Sequence, residues 1–77
     1  MQTLTDQQHR ILVALMAAGQ AGSHELAEAT ALPEMAVATL LRELEDERQV
    51  ARDLDASRAA IVWEVTARGA DVLDMES

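Results

Sequence analysis

Several residue types are scarce or missing in this chain of 77 residues. It contains no cysteine, which excludes disulfides and thiolate metal sites and suits a reducing cytoplasm. Trp63 is the only aromatic residue, so the core built from its 49% apolar residues must be aliphatic. No apolar run approaches the roughly 20 residues of a membrane span, and the N-terminus lacks the features of a signal peptide. We therefore expect one small cytoplasmic domain.

Positive charge is also scarce. Six arginines and no lysine stand against 14 acidic residues, which gives a net charge of −8. Acidity keeps a small domain soluble, but it repels nucleic acid at long range. The sequence leaves three explanations open. A dimer or a larger complex supplies positive charge for DNA binding, the surface binds protein instead of DNA, or the acidity reflects a saline cytoplasm.

Helical signals divide the first two-thirds of the chain into three helices. Thr5 and Gln8 have the spacing of a capping box, and Gly19 suits a helix end. Ser23 is a suitable N-cap for a second helix, and Pro33 is acceptable at the first position of a third. The predicted helices are 6–18, 23–30 and 33–48. Their main apolar stripes are Ile11, Leu12, Leu15 and Met16 in the first helix, and Val37, Leu40, Leu41 and Leu44 in the third.

The apolar period changes to two after Arg48, which predicts a β-hairpin over 50–65 with its turn at Asp55–Arg58. Trp63 alternates with neighbouring apolar residues, so we expect it in the sheet core. Thr66 is placed to cap a short last helix, 67–75. The order helix, helix, helix, hairpin, helix predicts an α+β fold, mostly α, namely a winged helix-turn-helix with a three-helix core, a β-hairpin wing and a short C-terminal helix.

The stretch 25–73 resembles the DNA-binding lobe of MarR-type transcriptional regulators. The resemblance is carried by the order and spacing of Leu26–Pro33, Val37–Glu45, Val50–Arg52, Asp55–Arg58 and Val65–Gly69. It implies a transcriptional regulator that binds double-stranded DNA. MarR-type proteins also carry long flanking helices that form the dimer, which this sequence does not include. A regulator of this size usually needs a two-fold dimer to read paired half-sites, so a homodimer is a further expectation.

In winged helix-turn-helix proteins the third helix enters the major groove of DNA. The resemblance implies a recognition face at five positions: Ala36, Thr39, Leu40, Arg42 and Glu43. Specific readout usually uses Arg, Lys, Asn or Gln, and this face has a single guanidinium. The predicted helix 33–48 carries a net charge of −3, which is a poor electrostatic footprint for DNA.

The same helix therefore suggests an alternative, a protein-interaction adaptor that has lost DNA binding. Met35 and Leu40 are then the anchors, with Ala36 and Ala38 allowing close approach. Against this, apolar stripes on helices usually face the core.

The predicted wing is better suited to DNA binding than the acidic third helix. Arg52 and Arg58 lie on the predicted hairpin, with Arg58 near its tip. An arginine at a wing tip can enter an adjacent minor groove. The alternative is that Arg58 pairs with Asp53 or Asp55 in a weak surface ion pair.

Catalytic and metal chemistry find little support in the sequence. His9 and His24 each have an acid three or four residues away, Asp6 and Glu28, but two ligands on one helix face do not make a zinc site. No serine has a base at nucleophile spacing, and the scattered glycines form no phosphate loop. We expect no enzyme, no metal, no cofactor and no ligand pocket.

Overall fold

A computed structural model of the chain describes residues 4–76, without the side chain of Glu76. The order of its elements confirms the predicted winged helix-turn-helix. The elements are α1 (Asp6–Ala18), α2 (Ser23–Thr30), α3 (Glu34–Asp46), β1 (Val50–Asp55), β2 (Ala60–Val65) and α4 (Ala67–Glu76). Among the described residues, no helix is both long and apolar enough to cross a bilayer.

Helix α1 begins and ends as its sequence predicts. The Gln8 amide donates to Thr5 Oγ1, and the Thr5 amide donates to Gln8 Oε1, both at 3.1 Å. Gly19 ends the helix at a φ of 81°, a left-handed conformation that favours glycine. Met16, however, is 49% exposed and does not belong to the core stripe. It lies on the rim of α1, beside the fully buried Leu15, because the core contacts only one side of this helix.

Helix α2 has a different N-cap from the predicted one. Gly22 is the N-cap, and Ser23 is the first helical residue. The Gly22 amide donates to Glu25 Oε1 at 3.0 Å, and this bond fixes the helix start one residue before Ser23. At the other end, the buried hydroxyl of Thr30 donates to the Leu26 carbonyl at 2.6 Å.

Helix α3 is shorter at both ends than the predicted 33–48. Pro33 is the N-cap, with an extended ψ of 144°, so the first helical residue is Glu34. At the C-terminal end, Arg48 adopts a φ of 62°. The amides of Arg48 and Gln49 donate to carbonyls of the last helical turn. A helix cannot continue through a left-handed residue, and α3 therefore ends at Asp46.

The wing is an antiparallel pair in which Arg52 lies opposite Trp63 and Asp55 opposite Ala60. Asp55 ends β1 rather than opening the turn, which shifts the turn to residues 56–59. The shift follows from Ala59, whose φ of 49° reverses the chain one residue later than predicted. Trp63 is 8% exposed, which confirms it as sheet core. Its backbone also exchanges two hydrogen bonds with Ala21, at 2.8 and 3.1 Å, which joins the α1–α2 connection to the wing.

The step from β2 to α4 depends on close backbone contact. Thr66 Oγ1 accepts from the Gly69 amide, which confirms Thr66 as the cap of α4. The same residue donates through its own amide to the Gln49 carbonyl at 3.0 Å. A Cβ on Gly69 would overlap that carbonyl oxygen, so only glycine fits at this position. Helix α4 ends one residue later than predicted, at Glu76.

The core lies among the three helices and the base of the wing. Its members are aliphatic, apart from Trp63. They are Ile11, Leu12, Leu15, Ala21, Leu26, Val37, Leu40, Leu41, Leu44, Val50 and Trp63.

Candidate nucleic-acid interface

Four side chains of α3 face solvent together and form what we call the α3 outer face: Met35, Ala38, Thr39 and Arg42. They line one shallow depression of about 240 Å³. Met35 is 85% exposed, an unusual degree for a large apolar side chain. The spacing of these residues, three or four apart along the helix, places them on one side of it.

The structure separates the five predicted recognition residues. Thr39 and Arg42 lie on the α3 outer face, whereas Ala36 is half-buried. Leu40 is 8% exposed and belongs to the core, so its assignment to the recognition face is wrong. The reason is its position on the stripe with Val37, Leu41 and Leu44, whose side chains the other helices cover.

Glu43 is exposed but lies toward α1, because Gln8 Nε2 donates to its carboxylate at 3.3 Å. Ala38 and Met35 were not among the recognition residues that the resemblance implied. Met35 was predicted only as an anchor for a protein partner. Counting back from Arg42 by four and seven residues finds both of them.

The acidic residues of α3 mostly engage neighbouring elements. Glu34 lies 3.4 Å from His24 Nδ1, and Glu45 Oε2 accepts from Arg52 Nε at 3.0 Å. By contrast, the Arg42 side chain has no hydrogen bond or ion pair within residues 4–76. Arg42 is therefore the one charged side chain among the four residues of the α3 outer face, with the exposed carboxylate of Glu34 in the first turn of the helix beside His24.

Thr39 presents its methyl group to this face, because its hydroxyl proton is used within the helix. Its Oγ1 donates to the Met35 carbonyl at 3.1 Å, one turn back in the helix. That bond uses the hydroxyl proton, and the methyl group and the oxygen lone pairs remain for an external contact.

Arg52 is fixed at the base of the wing by two contacts. Besides its ion pair with Glu45, its guanidinium lies 5.6 Å from the centre of the Trp63 ring, within the range of a cation–π contact. Arg52 therefore joins the wing to α3, and its charge is partly compensated.

Arg58 has an ion-pair partner that the sequence did not indicate. Its Nη2 lies 3.2 Å from Glu25 Oε1 on α2, whereas its guanidinium forms no ion pair with Asp53 or Asp55. The amide of Gly22, followed by the Arg58 charge, lowers the pKa of Glu25 below its ordinary value of 4.5. At the turn, the Ser57 hydroxyl, followed by the backbone amides of Arg58 and Ser57 and by the Arg58 charge, lowers the pKa of Asp55 against the opposing effect of burial. Both arginines of the wing are thus present at the surface, Arg52 paired with Glu45 and Arg58 paired with Glu25 and close to Asp55.

The remaining polar clusters and grooves lie outside the α3 outer face. His24 Nε2 is 2.8 Å from Glu28, which confirms that this pair shares a helix face. Within the described part of the chain, no group of three histidine or acidic side chains is arranged to hold a metal ion. An open groove of about 650 Å³ runs between α1 and α2. It is lined mainly by small side chains, including Val13, Ala17 and Ala29.

No protein-family model matches the sequence, and no curated protein matches it. Solved structures, in contrast, match it over nearly its whole length. A probable transcriptional regulator from Pseudomonas aeruginosa superposes with a TM-score of 0.90 at 20% identity, over 95% of this chain and 56% of that one. A mutant of MarR from E. coli complexed with operator DNA gives 0.88 at 19% identity, over 94% of this chain and 52% of that one.

A third structure, the YusO protein from Bacillus subtilis, superposes with a TM-score of 0.86 at 25% identity, over 92% of this chain and 51% of that one. The chain spans about half the length of these structures. The backbone agreement and the order of elements lead to one conclusion about architecture: the chain folds as a winged helix-turn-helix domain similar to that of MarR-type regulators.

Proposed function

We propose that this chain is a winged-helix DNA-binding protein that acts in transcriptional regulation. The observation that carries the proposal is the α3 outer face. In this fold the third helix is the one that enters the major groove, and its outward side in this chain presents Arg42 without an acidic partner among the described residues.

The net charge of −8 is the main objection to DNA binding. It acts chiefly at long range, where it slows approach to DNA and is screened by salt. At contact, the local arrangement matters more. Glu34, Glu43 and Glu45 contact His24 of α2, Gln8 of α1 and Arg52 of the wing, so none of these three carboxylates pairs with Arg42.

The wing supplies the second contact in this proposal. The pair between Arg58 and Glu25 is solvent-exposed, with exposed fractions of 56% and 47% for the two side chains. Exposed ion pairs contribute little to stability, because water and salt screen the two charges. Exchange of Glu25 for a DNA phosphate therefore costs little, and Arg58 then gains a charge-assisted contact.

We further propose that DNA is bound by a homodimer, since paired half-sites require two copies of the recognition helix. MarR from E. coli, to which this chain is similar in fold, has been solved with operator DNA. Sedimentation of the pure protein, alone and with a duplex, measures the number of copies directly. A monomer in both states would contradict the homodimer.

A second candidate, a protein-interaction adaptor, rests on one observation. Met35 is 85% exposed at the N-terminal end of the α3 outer face, beside the small residues Ala38 and Thr39, which suits an anchor in a partner's pocket. Leu40 has no part in this candidate, because it is buried. An adaptor retains its partner after Arg58→Ala, whereas DNA binding weakens.

The test is retardation of duplex DNA in a gel at about 50 mM salt and then across a salt series. The logarithm of the binding constant should fall with the logarithm of salt at a slope of about −0.9 per phosphate contact. We expect Arg42→Ala to cost about 1–3 kcal/mol on a preferred sequence. Arg58→Ala should weaken binding to all sequences alike and reduce the salt slope by about 1.

Arg10→Ala is the matched control. It removes the same unit of charge, but Arg10 lies in the groove between α1 and α2, where its Nη1 donates to the Thr30 carbonyl. Equal losses in Arg10→Ala and Arg42→Ala would indicate a general charge effect and contradict the interface. A folded protein that retards no duplex at low salt would overturn DNA binding altogether.

A further inference from the structure

The α3 outer face differs in chemistry from a face that reads bases by hydrogen bonds. Met35 and Ala38 have no polar side-chain atom, and the hydroxyl proton of Thr39 is donated to the Met35 carbonyl. Arg42 is the only side chain of the four with free donors. Three neighbouring positions therefore present carbon to whatever lies against them.

The major groove offers one apolar feature that such a surface can read. Thymine carries a C5 methyl group there, while the other base edges present hydrogen-bond donors and acceptors. Alanine and the methyl group of threonine are suited to contact this methyl, and an arginine is suited to guanine O6 and N7. Without an amide side chain, the face cannot form the paired hydrogen bonds that identify adenine.

The length of the face sets how many bases it covers. Met35 and Arg42 are seven residues apart, or about 10 Å along the helix axis. Successive base pairs of B-DNA rise by about 3.4 Å. The four side chains thus span about three base steps.

We propose that the α3 outer face reads thymine through its C5 methyl group, with Met35, Ala38 and Thr39 contacting thymines and Arg42 contacting a guanine within about three to four base pairs. This inference rests on the proposed function, since it names the bases that the DNA-binding helix selects. Sequence specificity then comes from apolar contacts at Met35, Ala38 and Thr39, and Arg42 adds one charged contact at the end of the face.

The experiment starts from a duplex selected from a random library with the 77-residue chain at low salt. Each thymine is then replaced in turn by deoxyuridine, which removes only the methyl group. At two or three adjacent positions we expect the affinity to fall by about fourfold for each methyl removed. At all other positions the change should stay below twofold.

Two variants of Thr39 locate the contact on the protein. Thr39→Ser removes the methyl group and keeps the hydroxyl, so it should weaken binding to the thymine duplex by a similar factor. On the deoxyuridine duplex at the matching position it should cause no further loss. Thr39→Val keeps the methyl group and should bind as the original chain does. Circular dichroism checks that both variants are folded.

The outcomes separate this inference from the proposed function. Tight binding to a selected duplex with no sensitivity to deoxyuridine at any position overturns methyl readout and leaves DNA binding in place. A loss in Thr39→Val with none in Thr39→Ser shows hydroxyl readout and also overturns it. Absence of binding to any duplex by the folded chain overturns the proposed function and this inference together.

Discussion

Leu40 and Met35 occupy adjacent turns of α3, and truncating each to alanine tests which of them belongs to the core. Leu40 is 8% exposed and packs among the aliphatic core. A buried leucine cut to alanine costs about 2.7–5 kcal/mol. Because Leu40 keeps some exposure at the edge of the core, we expect about 3 kcal/mol. A domain of this size has a total stability of about 4–12 kcal/mol, so the variant is strongly weakened.

The loss converts to a measurable change in melting temperature. At about 4–8 °C per kcal/mol for a domain of this length, Leu40→Ala should lower Tm by about 12–24 °C. Met35→Ala is the matched control. Met35 is 85% exposed, and exposed substitutions usually change stability by less than about 0.5 kcal/mol. Its Tm should therefore move by only a few degrees.

The assay is thermal and urea unfolding, followed by circular dichroism and by the fluorescence of Trp63. Agreement between the two probes establishes that unfolding is two-state, which the free energies require. If Leu40→Ala melts within a few degrees of Met35→Ala, Leu40 is not in the core and α3 turns a different side toward the other helices. The DNA affinity gives an independent reading, because below its Tm Leu40→Ala should still bind while Met35→Ala binds less tightly.

Two further predictions concern stability. Gly69→Ala should cost about 1–3 kcal/mol in urea unfolding, because the new methyl group overlaps the Gln49 carbonyl and the Val65 side chain; Gly22→Ala, whose methyl meets nothing closer than 3.5 Å, should cost less. Glu25 has a lowered pKa, so its ionised form stabilises the fold above its ordinary value of 4.5, and this stabilisation is lost as the pH falls through the lower folded value. Glu25→Gln keeps an oxygen for the Gly22 amide but no charge, so the stability difference between the two proteins should shrink as the pH falls from neutral to below 4.5. A constant difference over that range would show that the charge of Glu25 does not stabilise the fold.

Much of the fold follows from signals that are local in the sequence. The capping box of Thr5 and Gln8, the cap at Thr66 and the alternation around Trp63 each involve residues within four positions of one another. Such signals act before tertiary contacts form, which explains why the bounds of α1 and the outer ends of the hairpin, Val50 and Val65, coincide with the predicted ones.

The errors arose where distant residues or unusual backbone angles decide the structure. Arg48 and Ala59 adopt left-handed φ angles that nothing in their side chains favours, and each shifted a boundary. The partner of Arg58 is 33 positions away on α2. Leu40 was misplaced because a resemblance matches positions in sequence, whereas burial depends on which side of α3 the other helices cover.

The wing hairpin has two edges, and both bear on how the molecule avoids growing into larger sheets. An unpaired edge strand is a template for a strand from another molecule. On β2, Ala21 already occupies backbone groups of Trp63. The tip carries an exposed apolar pair, Leu54 opposite Ile61, which alone would favour such growth. Charged residues surround it on β1, namely Arg52, Asp53 and Asp55. The acidic character that weakens attraction to DNA thus also opposes edge-to-edge pairing between neighbouring wings.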